Sequence, residues 1–168
     1  MSNIPVYSFI AYSNTGKTTL IEKLIAELKS RGLRVAAVKH DAHEFDVDHK
    51  GKDSWRFTQA GSDVTIIISG TKAALMENRP VDIDAMLSKI TDVDIVIAEG
   101  YKSGAWPKIG VRRGATGKPL PIPADECYAI VTDVPEQTSR PCFGLEDVAS
   151  LADLLTTGIN QESVKCNV

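Results

Sequence analysis

A chain of 168 residues that is 43% hydrophobic fits one compact domain with a sizeable core and leaves little room for a second. Its formal net charge of -3 excludes a general nucleic-acid binder, which needs a basic excess to neutralise phosphates, so any anion site must be local. Cys127, Cys142 and Cys166 have no C-x-x-C spacing and cannot all pair, and no apolar run approaches the roughly 18 residues of a membrane span, which together point to a cytoplasmic protein without membrane contact.

In chain order, Val6 to Ala11 is a short apolar run rich in strand formers. The helix predicted next has Leu20, Ile21, Leu24, Ile25 and Leu28 on one face, with Gly32 placed to end it. "LRVAAVKHD" is a second buried strand, so strand, loop, helix and strand follow one another over the length of a βαβ unit, which predicts a parallel sheet. "DVTIIISGTKAALMEN" has two strand-forming runs around Ser69 to Thr71 and reads as a hairpin. Ile83, Met86, Leu87 and Ile90 recur at helical spacing after the N-cap Asp82. "DIVIAEG", "PKIGVRR" and "YAIVTD" are further strands, and Leu145 to Leu155 is the last helix. "ATGKPLPIPADE" is a Gly/Pro-dense loop able to cover a site. Residues 1–155 therefore form the predicted nucleotide-binding domain, with the hairpin at about 64–77 inside it, and 156–168 a polar tail.

The chemistry concentrates between the first strand and the first helix, in "AYSNTGKTT". Burying the charge of a triphosphate requires backbone N–H donors pointing inward, a helix N-terminus behind them, one cation, and a hydroxyl for a metal ion. Ser13, Asn14, Thr15, Gly16, Lys17, Thr18 and Thr19 supply all of these, with Lys17 directed at the β and γ phosphates and Thr18 at Mg²⁺. Ala11 stands where the usual pattern has its first glycine, which is harmless if its φ is negative, and Asn14 is among the few residue types that tolerate a left-handed backbone. Asp41 and Glu99 each follow a buried strand, where ligands of open parallel sheets collect, and either could hold Mg²⁺ or orient an attacking water.

"KHDAHEFDVDHKGKDSWR" carries three readings: a charged surface loop, a transition-metal site of His40, His43, His49, Asp46 and Asp48, or a phosphate clamp of Lys50, Lys52 and Arg56 with Asp53 capping a short helix. Asp133, at a strand exit, is of the type that accepts two hydrogen bonds from guanine.

"AYSNTGKTTLIEKLI", "VAAVKHDAHEFDVDHKGKDSWRFTQAG", "DIVIAEGYK" and "PKIGVRR" resemble, in order and spacing, the MobB proteins of molybdopterin-guanine dinucleotide biosynthesis, over roughly residues 4 to 155. The resemblance implies a three-layer α/β P-loop NTPase fold with a mainly parallel sheet and an added β-hairpin used in dimerisation. It implies a homodimer that binds GTP and Mg²⁺, hydrolyses GTP weakly, and assists the guanylyltransferase that attaches GMP to molybdopterin, with molybdopterin-bearing proteins as further partners. It further implies that Ser13 to Thr19 contact phosphate and that Asp41 and Glu99 serve the metal. The sequence departs from the family pattern at Ala11 and at Gly110, where "PKIEV" would have an acid. The residues leave two other functions open: a small-molecule kinase, whose arginine lid would come from Arg112 and Arg113, and a metallochaperone NTPase that uses the histidines. Lys102 and Lys108 are candidates to face an anionic pterin or an acidic partner.

Overall fold

The computed structural model describes residues 4–40, 45, 47–157 and 159. In chain order the elements are β1 (Val6–Ile10), α1 (Lys17–Ser30), β2 (Val35–Lys39), α2 (Asp53–Gln59), β3 (Val64–Ile68), β4 (Ala73–Glu77), α3 (Ile83–Leu87), β5 (Ile95–Glu99), β6 (Lys108–Arg112), β7 (Ala129–Thr132), β8 (Cys142–Phe143) and α4 (Val148–Thr156). They divide into two compact units, residues 41–91 and residues 2–40 with 92–168.

The larger unit is a six-stranded sheet in the order β2-β5-β1-β6-β7-β8, and every neighbouring pair is parallel. Its inner strands β1, β5, β6 and β7 are buried along most of their length, as in a sheet covered on both faces, while the edge strands β2 and β8 are only partly buried. Tyr7, Phe9, Ile95, Ile97, Ile109, Val111, Ala129 and Val131 join Leu24 and Leu28 of α1 and Leu151 and Leu155 of α4 in one core. The alternate residues Ile10, Val96, Ala98 and Ile130 are buried as well. On that second side, Leu120 of the Gly/Pro-dense loop and Cys127 just after it close over Gly110, where a Cβ would stand 2.9 Å from the Cys127 sulfur and 3.0 Å from Leu120 Cδ2. The space that an acid would need on β6 is therefore already filled.

Helix α1 stops where the sequence says it should. Gly32 takes φ +83°, and the N–H groups of Gly32 and Leu33 close back on the carbonyls of Lys29 and Leu28 at 3.0 and 3.2 Å, satisfying the last turn. β8 has only two residues, Cys142 and Phe143, paired with Ile130 and Val131, too short for any periodicity to announce it. Cys127 is a buried free thiol and Cys142 an exposed one.

In the smaller unit, β3 and β4 form the expected antiparallel hairpin, with Ile66 opposite Leu75 and Ile68 opposite Ala73. The Ser69 N–H donates to the Lys72 carbonyl at 2.8 Å to close the turn. The Asp82 side chain caps α3 by accepting from the Asp84 N–H at 2.8 Å, but the helix ends at Leu87 and leaves Ile90 outside. Asp53 is not a cap: it is the first helical residue of α2, and Lys52 holds the cap position. Among the described residues, no helix is long and apolar enough to cross a membrane.

Candidate functional site

The loop between β1 and α1 is shaped by backbone conformations that its sequence permits. Asn14 takes φ +69° and Gly16 φ +82°, whereas Ala11 is not among the positive-φ residues, so the missing first glycine introduces no strain. The buried Thr15 hydroxyl donates to the Tyr12 carbonyl at 3.0 Å and fixes the loop from below. Gly16 is the N-cap of α1, and its carbonyl accepts the first helical hydrogen bond, from Leu20, at 2.9 Å. A cavity of about 360 Å³ results, lined by residues 11 to 19 and Glu99. Its floor is a helix N-terminus with unsatisfied N–H groups, an environment that favours an anion.

Glu99 reaches this cavity because β5 is the central neighbour of β1, with Phe9 and Glu99 in register. The Lys17 ammonium donates to Glu99 Oε1 at 2.7 Å, and the Thr18 hydroxyl donates to the same oxygen at 3.0 Å. Burial by itself pushes the Glu99 carboxyl up, but the hydrogen bond and charge of Lys17, the Thr18 hydroxyl and the charge of Lys39 together outweigh it and hold the group below its ordinary value. The carboxylate is thus ionised at neutral pH. A hydroxyl and a carboxylate converging at one point are the hard oxygen donors that Mg²⁺ takes, so Thr18 and Glu99 fit that ion.

The turn after β5 is built around two successive left-handed residues, Gly100 at φ +88° and Tyr101 at φ +61°. The Gly100 N–H donates to the Phe9 carbonyl at 2.9 Å and the His40 N–H to the Glu99 carbonyl at 3.0 Å, which stitches the ends of β1, β2 and β5 together beneath the cavity. His40 packs edge-on against Tyr101, with ring centroids 4.9 Å apart.

Lys118, missed in the sequence, borders the loop together with Lys102. Tyr12, partly exposed, has the Lys102 and Lys118 ammonium groups 5.1 and 5.8 Å from its ring centroid. Lys108, grouped with Lys102 on sequence grounds, is instead turned to the Gly104 carbonyl at 2.7 Å and does not join that cluster. Of the arginine pair, Arg112 is bound to Glu136, while the Arg113 guanidinium lies against Gly16. Only the tertiary placement of β6 separates their roles. Asp133 already accepts from the Gly114 N–H through Oδ1 at 2.6 Å, so half of its carboxylate is committed to the backbone.

Asp41, His43 and Asp46 lie outside the described residues. Among the described residues no group of three or more His, Cys, Asp or Glu side chains is placed to hold a metal. Lys50, Lys52 and Arg56 are exposed in the smaller unit, and Arg56 pairs with Asp53 at 3.5 Å.

A family model described as molybdopterin guanine dinucleotide synthesis protein B, MobB, matches residues 6–133. A molybdopterin-guanine dinucleotide biosynthesis adapter protein of Haemophilus influenzae is 37% identical over 92% of this chain and 89% of its own length. The adapter protein of Escherichia coli is 35% identical over 95% and 96%. The crystal structure of Bacillus subtilis MobB superposes with a TM-score of 0.74 at 25% identity, covering 92% of this chain and 97% of that one.

Proposed function

The chain belongs to the MobB family, and from that premise we propose that it is an adapter in molybdopterin-guanine dinucleotide biosynthesis that binds GTP with Mg²⁺ and hydrolyses it slowly. The observation that carries the nucleotide reading is the convergence of Lys17 and Thr18 on Glu99 at a cavity walled by the backbone of residues 11 to 19. Lys17 has three donors and spends one on Glu99, so it can bridge the carboxylate and a β or γ phosphate. Glu99 with Thr18 would hold Mg²⁺, which when bound neutralises charge on the terminal phosphates. Asp41, the residue after His40 in the sequence, is the other candidate for the metal.

An adapter role follows from what such a loop serves. It delivers its lysine to the β and γ phosphates, which suits terminal hydrolysis and not attack at the α-phosphorus. Joining GMP to molybdopterin requires a second site that aligns the pterin phosphate with the α-phosphorus, and that site belongs to a partner guanylyltransferase. Lys102 and Lys118 beside Tyr12 offer positive charge to an acidic partner or an anionic pterin at the same edge.

Equilibrium binding of GTP against ATP, with and without Mg²⁺, tests the first part: GTP should bind more tightly, and Lys17→Ala should abolish tight binding without unfolding the chain. Equal affinity for ATP, or unchanged affinity in the variant, would remove the reading. The second part predicts no dinucleotide from GTP and molybdenum-loaded pterin until a separate transferase is added. Robust synthesis by this chain alone would make it the enzyme itself.

A further inference from the structure

Resting on the nucleotide reading above, we propose that Arg113 binds the inner phosphates of the nucleotide, those a diphosphate shares with a triphosphate. Its guanidinium Nη1 lies 3.4 Å from the point where a Cβ on Gly16 would stand, at the rim of the phosphate loop.

The arginine is delivered by a stiff turn. Its carbonyl accepts from both the N–H and the hydroxyl of Thr116, at 3.1 and 2.8 Å. The next N–H, that of Gly114, donates to Asp133 Oδ1 at 2.6 Å. Gly114 itself is pressed so closely on β7's exit that a Cβ would stand 2.4 Å from Val134 Cγ1. The backbone that carries Arg113 is therefore pinned before any ligand arrives, which reduces the entropy lost on binding.

Charge accounting singles out the same residue. Arg112 is paired through Nη1 with Glu136, whereas Arg113 has no carboxylate partner among the described residues. An exposed guanidinium held against an anion-binding loop and left without a counter-charge is suited to bidentate contact with phosphate oxygens.

Sheet order decides which phosphates. β5 and β6 flank β1 on opposite sides, so Glu99 and Arg113 stand on opposite flanks of the loop. Lys17 and Thr18 lean toward Glu99, which assigns the metal and terminal phosphate to that flank. The phosphate chain then runs toward β6, and the inner phosphates meet Arg113. Beyond it, a cleft of about 340 Å³ lined by residues 132–136 and 142–144 continues in the same direction, with Asp133 on its wall, and leaves room for the nucleoside.

The test is calorimetric binding of GTP and GDP, each with Mg²⁺, to the full chain and to its Arg113→Ala, Arg113→Gln and Arg113→Lys variants. Loss of a charge-assisted contact should weaken GTP and GDP alike, by about 10-fold to 100-fold in the Ala and Gln variants. Arg113→Lys should fall between these and the parent chain, because it keeps the charge and loses the fork. Thermal midpoints measured without nucleotide should be unchanged, since the side chain is exposed. A loss confined to GTP would place the guanidinium at the terminal phosphate and overturn the proposal, as would unchanged affinity for both nucleotides. Failure of the parent chain to bind either nucleotide would instead overturn the nucleotide reading on which it rests.

Discussion

Glu99 is the residue on which opposing terms can be read separately. Burial acts to raise its carboxyl and Lys17 acts most strongly against that, with Thr18 and Lys39 adding to Lys17. Because the folded-state value is depressed, the stability this group contributes is complete above its unfolded value and is lost as pH falls through the folded one. The window lies below about pH 4.5, the ordinary glutamate value. Removing the ammonium in Lys17→Met leaves desolvation as the largest influence, so NMR titration of Glu99 should pass from below the ordinary glutamate range in the parent to higher values in the variant. An unmoved titration would mean that the pair at 2.7 Å is not populated in solution. The residue types at Lys17, Thr18 and Glu99 were legible in the sequence because each carries its chemistry in its own side chain. Their meeting at one carboxylate oxygen was not, since 82 residues separate Lys17 from Glu99 and only the β1–β5 register joins them.

At the scale of elements, β6 shows how a strand position can be closed to any side chain by its neighbours. Gly110 is enclosed by Cys127 and Leu120, and the loop that brings them is held partly by short turns at Gly114–Thr116 and Ala124–Glu126. Gly110→Ala should destabilise the chain by about 1–3 kcal/mol through overpacking, read as a lower denaturant midpoint at unchanged slope. A neutral result would show that Leu120 can move aside. The long elements were readable in advance, since α1 has both its apolar stripe and its Gly32 stop, and β5 its continuous apolar run. β8 was not, because two residues cannot display a period, and α3 came out shorter than its spacing suggested because helical spacing alone does not mark where pairing ends. The Gly/Pro-dense loop serves two ends: its Leu120 covers the sheet, and its Lys118 reaches Tyr12, while Arg113 just before it reaches Gly16.

For the whole molecule, the question left by the smaller unit is what covers its hairpin. Ile66, Ile68 and Leu75 lie on one face of β3 and β4, and Ile66 and Ile68 are 63% and 78% exposed. Such a face with a free strand edge suits a second copy of the chain. Sedimentation should give a dimer for the parent and a monomer for the Ile66→Asp, Ile68→Asp double variant; a monomeric parent would dismiss the dimer, and a dimeric variant would dismiss the hairpin as its seam. The sequence by itself determined the α/β class, the hairpin and the family, because each is written in local residue types at short spacing. Tertiary structure alone decided that Lys17 and Thr18 share Glu99, that Arg112 turns to Glu136 while Arg113 stays at Gly16, and that Gly110 has no room for an acid. Those relations depend on strand order and on which neighbour fills a given space, and no stretch of chain carries that information until the sheet has formed.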